Sequence, residues 1–183
     1  MRHLSICSLI FALFVTVVAC GNGEEAPAQA DEAAAVDDVR TIEIIGTDDM
    51  RFVVAGEQDG LVVGEQRGDE FVLEQIIASP GEELRIILHT RSDLPGTAMS
   101  HNLAILELGT DVDAFVNASM VAADNEYIAP DMEGQVLITT AMLAGGESDT
   151  IQFTVPDETG IYDYVCSFPG HFATGMYGEL VVE

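Results

Sequence analysis

The chain contains no lysine at all, and its six arginines face 32 aspartates and glutamates, for a formal net charge of −26 across 183 residues. Charge of that sign repels phosphate, which excludes a role in binding nucleic acid. It also argues against adhesion to anionic lipid by charge. Two readings of the acidity remain open, solubility in a salty environment and steering toward a basic partner. Cysteine is scarce too, with only Cys7, Cys20 and Cys166, and histidine is limited to His3, His89, His101 and His171. With 48% apolar residues the chain can still bury a core without disulfide support. Its length suits one ordinary domain plus a targeting segment.

That segment is at the N-terminus. Met1-Arg2-His3 is a short basic opening, followed by an apolar run that ends in Val17-Val18-Ala19-Cys20. Residues 1–19 have the pattern of a secretory signal and are too short for a comfortable membrane span. Val-Val-Ala-Cys resembles the bacterial lipobox, in which Cys20 becomes the lipidated first residue of the mature chain. An ordinary signal with an incidental cysteine is the other reading. Acyl chains contribute roughly 0.8 kcal/mol per buried methylene, enough in combination to hold the chain at a membrane. The expected product is an exported, membrane-anchored lipoprotein facing the periplasm or the cell exterior. Residues 20–40, acidic, Ala-rich and without aromatics, read as a flexible tether behind that anchor.

From residue 41 to 183 the texture is all-β. Candidate strands are 41–45, 51–55, 70–77, 83–90, 102–108, 136–141, 149–155, 160–166 and 177–182. Ile42-Glu43-Ile44 and Leu84-Arg85-Ile86-Ile87-Leu88 show the alternation of half-buried strands. Turn residues such as Ser79-Pro80-Gly81 and Ala144-Gly145-Gly146 separate them, which predicts a sandwich or barrel. One interruption stands out within 111–124. Val112, Phe115, Val116 and Met120 recur at helical spacing, with Asp111 or Asp113 as N-cap, and predict one short helix. No internal repeat is visible.

Removal of the signal and lipidation of Cys20 leave Cys166 as the only free thiol of an exported chain, which calls for a reactive, bridging or metal-bound role. Its surroundings favour the metal. Cys166, His171 and Met176 lie five residues apart on one loop between two strands. Thiolate and thioether are soft donors and imidazole is intermediate, a set that suits copper shuttling between Cu(I) and Cu(II). Two histidines and a cysteine in a plane with a long axial methionine make a blue-copper site. The second histidine is His89 or His101. His101, at the head of the apolar stretch Leu103-Ala104-Ile105-Leu106, is favoured. His89 sits on the register opposite Leu84, Ile86 and Leu88, where a strand meets solvent.

Met99-Ser100-His101-Asn102, followed far downstream by Cys166-Ser167-Phe168-Pro169-Gly170-His171 and then Met176, resembles the azurin and auracyanin branch of the cupredoxins. The likeness covers most of 41–183, including Glu126-Tyr127-Ile128-Ala129-Pro130-Asp131 after azurin's helical flap. It implies a Greek-key β-sandwich or barrel with one short helical flap. It also implies one copper ion held by His101, Cys166, His171 and Met176, and an electron carrier rather than an enzyme. By resemblance, the Asn102 backbone N–H donates to the Cys166 sulfur while its side chain ties the two ligand loops together. The spacing from His171 to Met176 follows auracyanin or plastocyanin rather than azurin. Ser100 replaces the glycine whose carbonyl approaches copper in azurin, which leaves open a fifth, weak contact from the Ser100 carbonyl. Thr90 stands where azurin has a further histidine, a departure that argues against the pH-linked switching the resemblance would otherwise imply. Docking of c-type cytochromes or membrane redox complexes is expected on an apolar patch of Met99, Pro169 and Phe172 around a partly exposed His171 edge.

Rival readings are fewer. Copper oxidases and nitrite reductases need additional histidine ligands, and only His89 is left over. A dinuclear site needs a second cysteine in the loop. An extracytoplasmic copper storage or trafficking protein remains the alternative, although the methionines are scattered along the chain rather than clustered.

Overall fold

The computed structural model describes residues 39–183; the signal, Cys20 and the tether up to residue 38 lie outside the described residues. Twelve strands and one α-helix follow in chain order: β1 (Arg40–Thr47), β2 (Phe52–Val54), β3 (Leu61–Arg67), β4 (Glu70–Ala78), β5 (Glu83–Arg91), β6 (Ser100–His101), β7 (Ala104–Leu106), α1 (Val112–Ser119), β8 (Val136–Thr139), β9 (Leu143–Ala144), β10 (Ser148–Thr154), β11 (Gly160–Val165) and β12 (Tyr177–Val182). The main sheet runs β10-β5-β1-β2-β4-β12-β11-β7-β8, with β3 paired on β4. Its two ends, β8 and β10, meet, so the sheet curls into a nearly closed barrel and leaves few free edges. β1 runs parallel to β5 and β12 parallel to β4, while the remaining pairs are antiparallel.

Period-two alternation fills the barrel. Ile42 and Ile44 of β1 and Leu84, Ile86 and Leu88 of β5 point inward and are buried, while Thr41 and Glu43 face solvent. His89 lies on the outer register of β5, half-buried, away from the core. The stretch Leu103–Leu106 does not alternate because both of its faces are covered. Leu103 and Ile105 join the barrel core, whereas Ala104 and Leu106 meet Phe115 and Val116 of α1, together with Ile128 and Val165. The helix thus closes a second, smaller core on the outside of β7 and β11. Asp111 is its N-cap, accepting a hydrogen bond of 3.0 Å from the Ala114 N–H, while Asp113 sits in the first turn. Beyond it, the Ser119 hydroxyl accepts from the Ala129 N–H at 3.0 Å and anchors the return of the chain.

Several elements differ from the sequence expectation. β3 is additional: its register slips between Val62 and Val63 and again between Val63 and Gln66, which erases the alternation that would reveal it. β9 is additional as well, and with two residues it is too short to leave a pattern. Of the expected strand 102–108 only Ala104–Leu106 is strand, since Asn102 bonds across to Ser167 instead of joining the ladder; the two-residue β6 lies just ahead of the expected range. The strand expected over 136–141 stops at Thr139, and β1 starts at Arg40 rather than Thr41. Met120 lies past the last residue of α1 and is only half-buried.

Tyr162 fixes the corner where the chain enters β11. Its ring is 2% exposed, and its hydroxyl donates to the Glu158 carbonyl at 2.9 Å, four residues back. Such a tyrosine corner clamps the turn between two Greek-key strands. Tyr162→Phe removes one hydrogen bond, and the freed carbonyl belongs to an exposed residue that water can reach. The expected loss is about 1 kcal/mol, read as a lower urea midpoint with an unchanged slope.

Candidate metal centre

Three separate pieces of backbone carry the donors. His101 ends β6, whose only partner is β9, with Ser100 opposite Ala144 and His101 opposite Leu143. Cys166 follows the last residue of β11, and His171 sits five residues on, at the start of a 3-10 turn over Phe172–Thr174. The loop is closed on itself: the Cys166 N–H donates to the Met176 carbonyl at 3.1 Å, and the Met176 N–H donates to the His171 carbonyl at 3.1 Å. Gly175, at φ 104°, permits the turn back into β12. Met176 is fully buried immediately before that strand.

Nδ1 of His101 and Nδ1 of His171 are 3.2 Å apart, and the Cys166 sulfur lies 3.9 Å and 3.4 Å from them. The three residues are 0%, 2% and 0% exposed in the order His101, His171, Cys166. Among the described residues they form the one cluster of histidine, cysteine or carboxylate groups able to hold a metal ion. Bonds of roughly 2.0–2.3 Å from nitrogen and sulfur to a central ion place trigonal donors roughly 3.5–3.8 Å apart. The observed separations bracket that range, so the donor set fits a single ion with no movement of the backbone.

The electrostatics point the same way. Desolvation lowers both imidazoles to about 4, with His171 adding repulsion at His101 and Asp48 pulling weakly in the opposite direction. Desolvation pushes the Cys166 thiol up to about 12, against hydrogen bonds from the Asn102 and Phe168 backbones. The buried site therefore holds two neutral imidazoles and a neutral thiol until a cation takes their lone pairs.

Asn102 joins the two ligand segments. Its Nδ2 donates to the Ser167 hydroxyl at 2.9 Å, and its Oδ1 accepts from the Ser167 N–H at 2.9 Å. Ser167 is the partner that sequence reasoning passed over; a serine after a cysteine carries no signal of its own. Thr140 was passed over too, and its hydroxyl accepts from the Leu103 N–H at 3.0 Å just past the ligand strand. Phe168 packs on His171 at 4.7 Å between ring centres and is met edge-on by Tyr127 at 5.1 Å. Ser100 is buried beside His101, its hydroxyl donating to the Gly96 carbonyl at 2.7 Å.

The expected apolar rim needs correction. Met99 is buried, and Phe172 is half-buried against the outer core, its ring 5.2 Å from Tyr177. His171 offers almost no exposed edge, because Phe168 covers it. Pro169 alone of the three named rim residues is exposed, with Gly170 and Ala98 beside it in exposure.

A nearly closed β-barrel with a buried His-Cys-His cluster at one end defines a mononuclear copper protein. The chain matches the family of copper binding proteins of the plastocyanin/azurin type over residues 58–183, and it belongs to that family. It is 41% identical to auracyanin-B of Chloroflexus aurantiacus over 85 residues, which are 46% of this chain and 36% of that protein. The chain therefore spans only about a third of auracyanin-B. Azurin-1 of Alcaligenes xylosoxydans xylosoxydans is 34% identical over 110 residues, 58% of this chain and 84% of that protein. In fold it resembles the dithionite-reduced auracyanin of the photosynthetic bacterium Roseiflexus castenholzii, with a TM-score of 0.59 and 24% identity over 78% of this chain and 96% of that one. The chain is a blue-copper cupredoxin of the azurin/auracyanin branch, with His101, Cys166 and His171 positioned for one copper ion.

Proton release measures the site directly. At pH 7 both imidazoles are already unprotonated and Cys166 is still a thiol. Loading one copper ion into the metal-free chain is expected to release one proton, read with a dye in unbuffered solution. The number rises toward three as pH falls through about 4, where His101 and His171 carry protons of their own. Cys166→Ser is expected to release none at pH 7.

Proposed function

We propose that this protein is a one-electron carrier, cycling a single copper ion between Cu(II) and Cu(I) outside the cytoplasm. The observation that carries this reading is the convergence of three fully or almost fully buried donors on one point. His101, Cys166 and His171 would hold the ion, and Met176 would add a weaker thioether donor. Copper contributes the change of oxidation state; the protein contributes a shape that hardly moves. The closed loop from Cys166 to Met176 and the Asn102–Ser167 bridge resist rearrangement. Such outer hydrogen bonds orient ligands and tune the metal. A buried donor set of this kind suits electron passage better than catalysis on a substrate, which needs an open coordination position. A copper store would rather present accessible donors.

Redox partners such as c-type cytochromes or membrane redox complexes would meet the protein where the ligand loop reaches the surface, at Pro169 and Gly170. That face is small, as transient redox encounters require. The acidic body around it would speed approach of a basic partner. A lipid on Cys20, with the acidic tether behind it, would hold the domain at the membrane surface. Among the described residues no helix is long and apolar enough to cross a membrane.

Copper(II) added to the full chain in detergent is expected to give an intense visible band that reduction bleaches and reoxidation restores. Cys166→Ser is expected to abolish the band. A wild-type chain that binds copper tightly yet stays colourless would sink the carrier reading in favour of storage. Metabolic labelling with a fatty acid tests the tether: the wild type is expected to take up label and fractionate with membranes, and Cys20→Ser to do neither. Equal labelling of the two would remove Cys20 from the anchor.

A further inference from the structure

The wall behind His101 is main chain rather than side chain. Gly46 is buried near the end of β1. A Cβ built on it would lie 2.8 Å from His101 Cδ2, 2.9 Å from Cγ and 3.1 Å from Cβ. Carbon atoms in favourable contact sit roughly 3.5–4.0 Å apart, so the glycine backbone already touches the imidazole and its stem. A glycine inside an otherwise apolar alternating strand is a mark of close backbone approach.

Neither side of this contact can retreat. Gly46 pairs with Phe52 of β2 on one flank and with Thr90 of β5 on the other. The next residue is pinned as well, since the Thr47 N–H and hydroxyl both donate to the Arg51 carbonyl, at 3.1 and 3.2 Å. Thr90 in turn is fixed by its N–H to Glu147 and by its carbonyl to the Gly146 N–H. His101 is held by pairing with Leu143, and the His171 ring stands 4.9 Å away. The atoms that would collide include Cγ and Cβ, next to the backbone, so a rotation of the ring end does not relieve them.

We propose that Gly46 is a positioning residue of the copper site: its bare main chain is a back-stop that sets the imidazole of His101 and keeps Nδ1 aimed at the ion with or without copper. This rests on His101 being a copper ligand. The consequence is that the ligand frame is set by the barrel wall before metal arrives. The His101 ring has no room to swing between the two oxidation states.

The test compares copper-loaded full chains carrying Gly46→Ala or Gly134→Ala. Gly134 has nothing within 4 Å of a built Cβ and serves as the neutral control. The control is expected to keep the wild-type visible and electron paramagnetic resonance spectra. Gly46→Ala is expected to change both, and to weaken copper binding by roughly 10–100-fold, as removing outer support of a ligand does. A Gly46→Ala chain with wild-type spectra and affinity, whatever its melting temperature, would overturn the proposal and leave Gly46 a packing residue. A colourless wild type would instead overturn the blue-copper reading on which the proposal rests, leaving the role of Gly46 to the comparison of affinities. Should Gly46→Ala fail to fold, structures of the wild type without metal and with Cu(I) decide. The His101 ring is expected to superpose in the two, and a rotation beyond about 30°, outside a single rotamer well, would overturn the proposal.

Discussion

Dry burial of a thiol and two imidazoles is the constraint to which the rest of this structure answers. None of the three can ionise comfortably where it stands, as the lowered histidines and the raised cysteine record. Polar groups so buried are costly unless they are paired. The fold therefore surrounds them with hydrogen-bonded neighbours on the ligand-loop side. Asn102 and Ser167 bond each other across the ligand segments, Thr140 caps the Leu103 amide, and the ligand loop spends its amides on its own carbonyls. At the centre the two Nδ1 atoms and the Cys166 sulfur face one another, a lone-pair demand that a metal cation would meet.

Charge is handled on the outside. The five arginines of residues 39–183 all have partners, and most of them join separate strands or turns. Arg40 at the start of β1 meets Glu82 before β5, Arg91 of β5 meets Glu70 of β4, and Arg85 of β5 meets Gln152 of β10. Arg67 bonds Asp49 and Glu65, and Arg51 donates to the Met50 carbonyl. Exposed pairs of this kind contribute little each. Their effect on the surface is larger: with the positive charges already engaged, the body remains strongly acidic away from the copper loop.

The site was more legible than the frame. Cys166 and His171 crowd one loop together with Met176, and soft donors at that spacing have few other uses, so the metal role of the first two could be read directly. His101 was legible because one other histidine competed with it and that one fell on a solvent register. Long alternating strands such as β5 and β12 were equally plain, and β12 was placed to the residue. Elements fixed by distant partners were not. β3 hides behind two register slips, β9 is two residues held by β6, and the break at Asn102 exists only because Ser167 lies across from it. Exposure was the weakest inference of all: whether Met99 and Phe172 reach solvent depends on what covers them, and the local sequence does not contain that information.

The parallel pairing of β4 with β12 carries a consequence for how the protein comes into being. Gln75 and Glu179 lie side by side although 104 residues separate them along the chain, and His101 and Cys166 are 65 apart. Closing loops of that length has to precede the contacts that reward it, which makes such topologies slow to form. The barrel closes only when β12 has paired with both β11 and β4, and the loop that carries Cys166 and His171 runs directly into that strand. A ready-made pocket for copper is thus a product of the slow, long-range part of folding rather than of any local segment.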